Sequence, residues 1–225
     1  MKTHLGRRAF STMELHTLFN GYIYTDEKLK REQPKHWHFW LPLLSYYTGA
    51  YSDEIGSLTL DDIFQQDHVH LLHFNTHGKI QPRVVPIHPA LWQSGLEQYL
   101  TQIKKLGQQR ILFDLPAKSG RYSEKVRIWF SGEGERQGYL QKCGLPNVDQ
   151  QGMKTAISSL RLNFEQQIRI SAIQQGHKSS LHYLLGLKDD GDIVTRPPLA
   201  ILKQITSQLR VINPNITWQR FLDRH

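Results

Sequence analysis

Hydrophobic residues recur three and four positions apart along most of the chain, as in helices with one buried face. In HWHFWLPLLSYY (36–47) the stripe consists of Trp37, Trp40, Leu41, Leu44 and Tyr47, and the helix should end before Gly49. The same spacing predicts other helices. They begin near residue 12 and residue 52, and cover roughly 89–106, 123–130, 158–175, 179–185 and 198–209.

Local signals mark several of these helix ends. Ser11 and Glu14 have the spacing of a capping box, and Ser52 should cap a helix whose first turn is acidic. Pro89 opens the strongest helical pattern and Gly107 closes it.

The pattern changes at residue 67. HVHLLHFN and RVVPIHP alternate, and the second limb is rich in β-branched residues, so they predict a two- or three-stranded hairpin that turns near His77 and Gly78. The expected fold class is therefore mainly α with a small antiparallel β-sheet, an α+β arrangement.

Composition narrows the class of protein. The chain has 225 residues, 39% of them hydrophobic, which suits one large globular domain. Lys and Arg exceed Asp and Glu by 28 to 20, which gives a net charge of +8. Such a balance favours a polyanionic partner such as nucleic acid.

Cysteine usage and hydropathy indicate the compartment. Cys143 is the only cysteine, so no disulfide can form within the chain, and a reducing cytoplasm is expected. The longest apolar run, residues 39–44, is too short to span a bilayer, and no apolar stretch follows the basic start of the chain. Neither export nor membrane insertion is predicted.

Five separated segments together resemble the catalytic domain of the tyrosine recombinases, specifically the phage-type integrases. They are FWLPLLSYYTGAYSDEIGSLTLDDI (39–63), GKIQPRVVPIHPAL (78–91), ILFDLP (111–116), SSLR (158–161) and YLLGL (183–187). With the elements between them they span roughly residues 12–210. The resemblance implies a bacterial or phage-derived cytoplasmic protein linked to DNA recombination and integration.

The resemblance also implies a particular chemistry. In that family two arginines and a histidine clamp the scissile phosphate, a hairpin lysine protonates the leaving oxygen, and a tyrosine attacks phosphorus. Here the first arginine position is Tyr51, three residues before Glu54, and the second-box histidine position is Ser158, whereas its arginine remains as Arg161. Lys79 is the better match for the hairpin lysine, with His77 as the alternative.

The last two positions are also altered. Leu187 stands where the third-box histidine or tryptophan is expected, and the nucleophile position falls near Arg196 or Pro197. No tyrosine occurs after Tyr183. Because phosphoryl transfer depends on positioned cations and donors, the sequence predicts a catalytically silent relative that needs no cofactor or metal.

The resemblance also suggests a division of the chain. Residues 36–225 would form the catalytic-like domain, and residues 1–35 an extension with one short helix. This extension would replace the helical DNA-clamping domain that family members usually carry.

The candidate functional residues also have ordinary structural interpretations. Arg161 is either a vestigial phosphate contact or a structural partner of Glu54. Lys79 and Arg83 are either solvated charges or, with Arg161 and His77, contacts to DNA phosphates. A zinc site at His68 and His70, on one face of a strand, lacks the usual accompanying spacing. Tyr183 as a relocated nucleophile is a further alternative, with a core aromatic as the simpler interpretation.

Three functions follow from these residues. The first is a silent integrase-like protein that holds duplex DNA by its phosphates and assists or regulates an active recombinase. The second is an assembly module that self-associates through segment 198–211, which begins at Pro198, ends at Val211 and carries one apolar stripe. The members of that stripe are Leu199, Leu202, Ile205 and Leu209. The third is an active recombinase or nuclease with an unusual site.

Overall fold

Helices surround a small three-stranded sheet, and a separate pair of short strands forms a second sheet, in the computed structural model, which describes residues 6–25, 33–174, 176–189 and 192–224. The helices are α1 (Thr12–Leu18), α2 (His36–Thr48), α3 (Ser52–Ser57), α4 (Pro89–Gln93), α5 (Leu96–Lys105), α6 (Ser123–Ser131), α7 (Tyr139–Lys142), α8 (Ser159–Gln174), α9 (Lys178–Leu184), α10 (Leu199–Thr206) and α11 (Trp218–Leu222). The strands are β1 (Ile63–Gln66), β2 (Val69–Phe74), β3 (Arg83–Pro86), β4 (Lys188–Asp189) and β5 (Asp192–Ile193). This confirms the predicted fold class.

Helix α2 lies at the centre of the core. The sequence predicted one buried stripe, but Leu43 and Tyr46 are buried as well, so the helix is covered around most of its circumference. It packs against α8 and α3. Gly49 ends it, as predicted, with a left-handed φ of 65°. A Cβ at Gly49 would lie 2.3 Å from the Phe164 ring, so this position requires glycine for space as well as conformation.

The main sheet is antiparallel with the order β1-β2-β3, and Leu72 pairs with both Ile63 and Val85. Its tip turns at His77 and Gly78 as predicted. Strand β1 was not predicted. It joins β2 through a two-residue turn in which Asp67 and His68 have positive φ, the geometry that matches strand twist.

The prediction of a single helix over residues 89–106 is wrong, because this segment forms two helices. It is broken into α4 and α5 at Gly95, whose φ is 92°. A Cβ at Gly95 would lie 2.9 Å from the Trp218 side chain, and Trp218 is fully buried. Helix α11, which was not predicted, therefore packs against this break.

The apolar stripe of α10 packs on its own chain. Leu202, Ile205 and Leu209 are buried, and the helix contacts β3, α8 and α9. The prediction that this stripe is free to dock on another chain is wrong, because the core of the same chain already covers it. None of the helices in the described part of the chain has the length and apolar character that a bilayer span requires.

The capping box of α1 is confirmed and ties the start of the described chain to a distant loop. The Ser11 hydroxyl accepts from the Glu14 N–H, and the Glu14 carboxylate accepts from the Ser11 N–H. The Arg8 guanidinium bridges Glu14 at 2.7 Å and Asp149 at 2.6 Å. The Arg8 hydrogen bond is the main reason that the pKa of Glu14 falls from 4.5 to about 2.

We expect this network to make folding acid-sensitive. A carboxylate with a depressed pKa contributes stability above its unfolded pKa and loses it as the pH falls through the folded value, here from about 4.5 to about 2. Urea denaturation at neutral and acidic pH should show that Glu14→Gln removes about 1–3 kcal/mol at neutral pH and much less near pH ~2. An equal loss at both pH values would contradict this.

Candidate nucleic-acid interface

Arg161 lies on the first turn of α8 and is 5% exposed. Its two terminal nitrogens donate to the carbonyl oxygens of Gly49 and Leu185, each at 2.5 Å. Its Cζ lies 4.4 Å from the centroid of the Tyr51 ring, so the aromatic face covers the guanidinium. Burial lowers the pKa of Arg161.

These contacts give Arg161 a structural role. Gly49 ends α2 and Leu185 ends α9, and carbonyls at helix C-termini have no partner within their helix. One buried cation therefore joins two helix ends and complements their negative dipole ends. The predicted alternative, in which Arg161 pairs with Glu54, is wrong.

Glu54 pairs instead with Arg83, at 2.6 Å, and their side chains are 1% and 0% exposed. The other Glu54 oxygen accepts from the Tyr51 N–H at 2.8 Å. The Arg83 guanidinium also lies 4.9 Å from the centre of the Phe74 ring. Both predictions for Arg83 are wrong: it is not solvated, and it is not presented at the surface to a phosphate.

Helix α3 begins at Ser52, one residue earlier than predicted, because Tyr51 and not Ser52 is the N-cap. The capping box is formed by the Glu54 carboxylate and the Tyr51 N–H. This fixes the backbone of Tyr51, the residue whose ring lies on Arg161.

Two positions that the resemblance assigned to the catalytic site lie outside the set of residues that Arg161 contacts. Leu187 is 40% exposed and carries no polar group. Arg196 is exposed and donates to the Gln66 side chain at 3.0 Å. Tyr183 is the core aromatic of the simpler interpretation, since it is 7% exposed and its hydroxyl accepts from the Val84 N–H.

Lys79 and His77 occupy the exposed tip of the β2–β3 hairpin. His77 Nε2 lies 3.7 Å from Asp53 Oδ2. Asp53 Oδ1 accepts from the N–H groups of Tyr122 and Ser123 at the start of α6, at 2.6 and 2.9 Å. Burial raises the pKa of Asp53, but these two N–H donors outweigh it and the pKa is lowered. Asp53 thus connects the hairpin tip to α6.

A cleft of about 630 Å³ opens beside the starts of α3, α6 and α8. Four cationic side chains line it against one carboxylate, together with four serines. The lining residues are Arg7, Ser52, Lys118, Ser119, Arg121, Ser123, Glu124, Arg127, Ala156, Ile157 and Ser158. Of the positions predicted from the resemblance, Ser158 lines this cleft, and Tyr51 immediately precedes its Ser52.

A tight turn presents two of the cations. Lys118 and Arg121 exchange backbone hydrogen bonds of 2.8 and 3.0 Å across Ser119 and Gly120, both of which have positive φ. Arg7 is held by a backbone bridge to Lys154, another exposed cation.

Part of this charge is uncompensated. Lys118 pairs with Glu124 at 2.7 Å and Arg127 with Glu133 at 2.6 Å. Within the described residues, the guanidinium groups of Arg7 and Arg121 have no carboxylate partner. The cleft therefore attracts anions, and its serine hydroxyls can donate hydrogen bonds to them.

Sequence reasoning missed these cations. AKSGRYSEK (117–125) carries a usable signal, since a basic Gly/Ser turn directly precedes a helix start. Arg7 has no such signal, because only the fold brings it to the same cleft.

The histidine alternative for a metal site is wrong. His68 lies in the β1–β2 turn and not on a strand, while the His70 ring packs 4.8 Å from Trp92. Over the ranges that the structure describes, no group of three or more His, Cys, Asp or Glu side chains is placed to hold a metal.

No family model matches the chain, and no curated protein matches it. Among solved structures, two complexes of the XerH site-specific recombinase are similar. One is bound to its difH substrate before cleavage, with 16% identity, and one to palindromic difH after cleavage, with 14%. Both have a TM-score of 0.49, and the match covers 90% of this chain and 50% of theirs. The chain thus spans about half the length of these solved chains.

Proposed function

We propose that this chain binds duplex DNA through its phosphates and does not cut it, as a silent integrase-like protein that acts beside an active recombinase. The basic cleft carries the proposal, since it has four cations against one carboxylate and leaves Arg7 and Arg121 uncompensated. Cations that neutralise DNA phosphates release counterions, which is the main source of sequence-independent affinity. Lys79 and His77 at the hairpin tip would extend this surface.

The positions of the charged groups support catalytic silence. Phosphoryl transfer needs cations and donors aimed at the reacting phosphate. The two terminal nitrogens of Arg161 donate to carbonyls, and Arg83 is fully buried with one terminal nitrogen paired to Glu54. A loss of these groups from the reacting centre leaves an enzyme of this class without its principal stabilisation of the transition state.

The strictest test of silence concerns Tyr51, the exposed tyrosine whose ring lies on Arg161. A nicked suicide substrate traps any covalent tyrosine–DNA intermediate. We expect no adduct with the wild-type chain. An adduct that disappears in Tyr51→Phe would overturn the proposal and identify an unusual active recombinase.

Charge reversal in the cleft tests DNA binding. We expect Arg7→Glu with Arg121→Glu to weaken duplex binding about 10- to 100-fold at low salt and to lower the salt-dependence slope by roughly two, because two phosphate contacts are lost. Fluorescence anisotropy over a salt series measures both quantities.

The matched control is Lys104→Glu with Lys105→Glu, which makes the same charge change at exposed positions at the end of α5. This pair should weaken binding much less. Equal losses in the two double variants, or no wild-type binding at low salt, would contradict the proposal.

A further inference from the structure

Tyr51 presents an aromatic face to solvent. It is 38% exposed, whereas Tyr122 is half-buried and the other seven of the nine tyrosines are buried. One face of its ring is covered by the Arg161 guanidinium at 4.4 Å. The structure shows no hydrogen bond from the Tyr51 hydroxyl within the described residues. The exposed face has no role in the packing described above.

The ring is held in a fixed position. Behind it, Arg161 is anchored by two carbonyls at 2.5 Å. The backbone N–H of Tyr51 donates to Glu54, which forms a buried ion pair with Arg83. A flat aromatic surface that is already ordered loses little conformational entropy when a ligand stacks on it.

Residues close in sequence to Tyr51 and to Arg161 line the basic cleft. Ser52, the next residue, lines the cleft, and so does Ser158, one helical turn before Arg161. Ser52 is 7% exposed, and its hydroxyl makes no hydrogen bond in the described part of the chain. A hydroxyl on the cleft wall can donate a hydrogen bond to an incoming polar ligand.

We propose that the cleft binds single-stranded DNA, with one unpaired base stacked on Tyr51 and the flanking phosphates held by Arg7 and Arg121. Sites that bind single strands without sequence preference combine a positively charged groove with aromatic rings on which bases stack. The cleft, at about 630 Å³, lies within the range of ~300–1,000 Å³ typical of ligand sites. This inference rests on the proposed function, because the same cations would hold duplex phosphates.

The inference predicts a variant that separates single-stranded from duplex binding. We expect Tyr51→Leu to weaken binding of a short single-stranded oligonucleotide about tenfold, since the stacking contribution of one base is lost, and to change duplex affinity by less than about twofold. Tyr51→Phe keeps the ring and should bind both forms as the wild type does. Fluorescence anisotropy measures the affinities, and thermal melting confirms that each variant folds.

Two controls make the outcome decisive. Phe64→Leu removes another exposed ring, 37% exposed on β1, and should alter neither affinity. An oligonucleotide with 2-aminopurine should be quenched on binding to wild type and Tyr51→Phe, which supports stacking even if Tyr51→Leu does not fold.

The possible failures can be told apart. If neither form of DNA binds, the proposed function fails and this inference fails with it. If duplex binds but 2-aminopurine is not quenched, or Tyr51→Leu binds single strands as well as Tyr51→Phe, the stacking inference is wrong while duplex binding stands.

Discussion

Replacing Glu54 with alanine is expected to lower the free energy of unfolding by about 3–5 kcal/mol. The substitution leaves the Arg83 guanidinium fully buried without its carboxylate, and removes the acceptor of the Tyr51 N–H. Breaking one half of a buried ion pair costs more than the pair itself contributes, because the remaining charge is taken out of water without compensation.

Urea denaturation of three variants tests this expectation. Glu97→Ala, at an exposed position on α5, should change stability by less than about 0.5 kcal/mol. Glu54→Leu combined with Arg83→Met should recover much of the loss seen in Glu54→Ala, because neither charge then remains buried. If Glu54→Ala were as stable as Glu97→Ala, the buried pair would have no structural importance.

Local sequence signals predicted many elements, because each depends on residues close together in the chain. The capping box at Ser11 and Glu14 and the left-handed Gly49 are confirmed examples. The break at Gly95 was not predictable in this way. It depends on Trp218, which packs there from more than a hundred residues away, and tertiary packing commonly overrides a local helical pattern.

The candidate site shows the same limit more sharply. The resemblance assigned Tyr51, Ser158 and Arg161 to positions of one phosphate clamp. In the structure the Tyr51 ring lies on Arg161, and Ser158 lines the cleft beside the starts of α3, α6 and α8. Of the two interpretations of Arg161, its pairing with Glu54 is wrong, because spacing along the chain does not show which arginine reaches that carboxylate. Only the β3 backbone brings Arg83 to Glu54.

The location of charge connects the structure with the proposed function. Arg161 and Arg83 are directed inward, Arg161 to helix carbonyls and Arg83 to a carboxylate, and each is tied into the fold. The uncompensated cations lie at the cleft instead, on the turn before α6 and beside Lys154. Stability and DNA affinity should therefore depend on different arginines.

Arg161→Ala provides the direct test of that separation. We expect it to reduce the free energy of unfolding by about 3–5 kcal/mol, since each charge-assisted hydrogen bond contributes ~1.5–3 kcal/mol and the carbonyls of Gly49 and Leu185 lose their donor. The folded fraction should keep its duplex affinity within about twofold, because Arg161 is only 5% exposed and both terminal nitrogens of its guanidinium already donate to protein carbonyls.

Arg121→Ala is the matched control and should show the reverse pattern. Its exposed side chain has no carboxylate partner among the described residues, so its loss should leave urea denaturation nearly unchanged and weaken DNA binding measurably. Both variants remove one arginine and one positive charge, and only the position differs. A stable Arg161→Ala protein that had lost its affinity for DNA would instead make Arg161 a phosphate ligand, because a buried structural cation cannot be removed without a loss of stability.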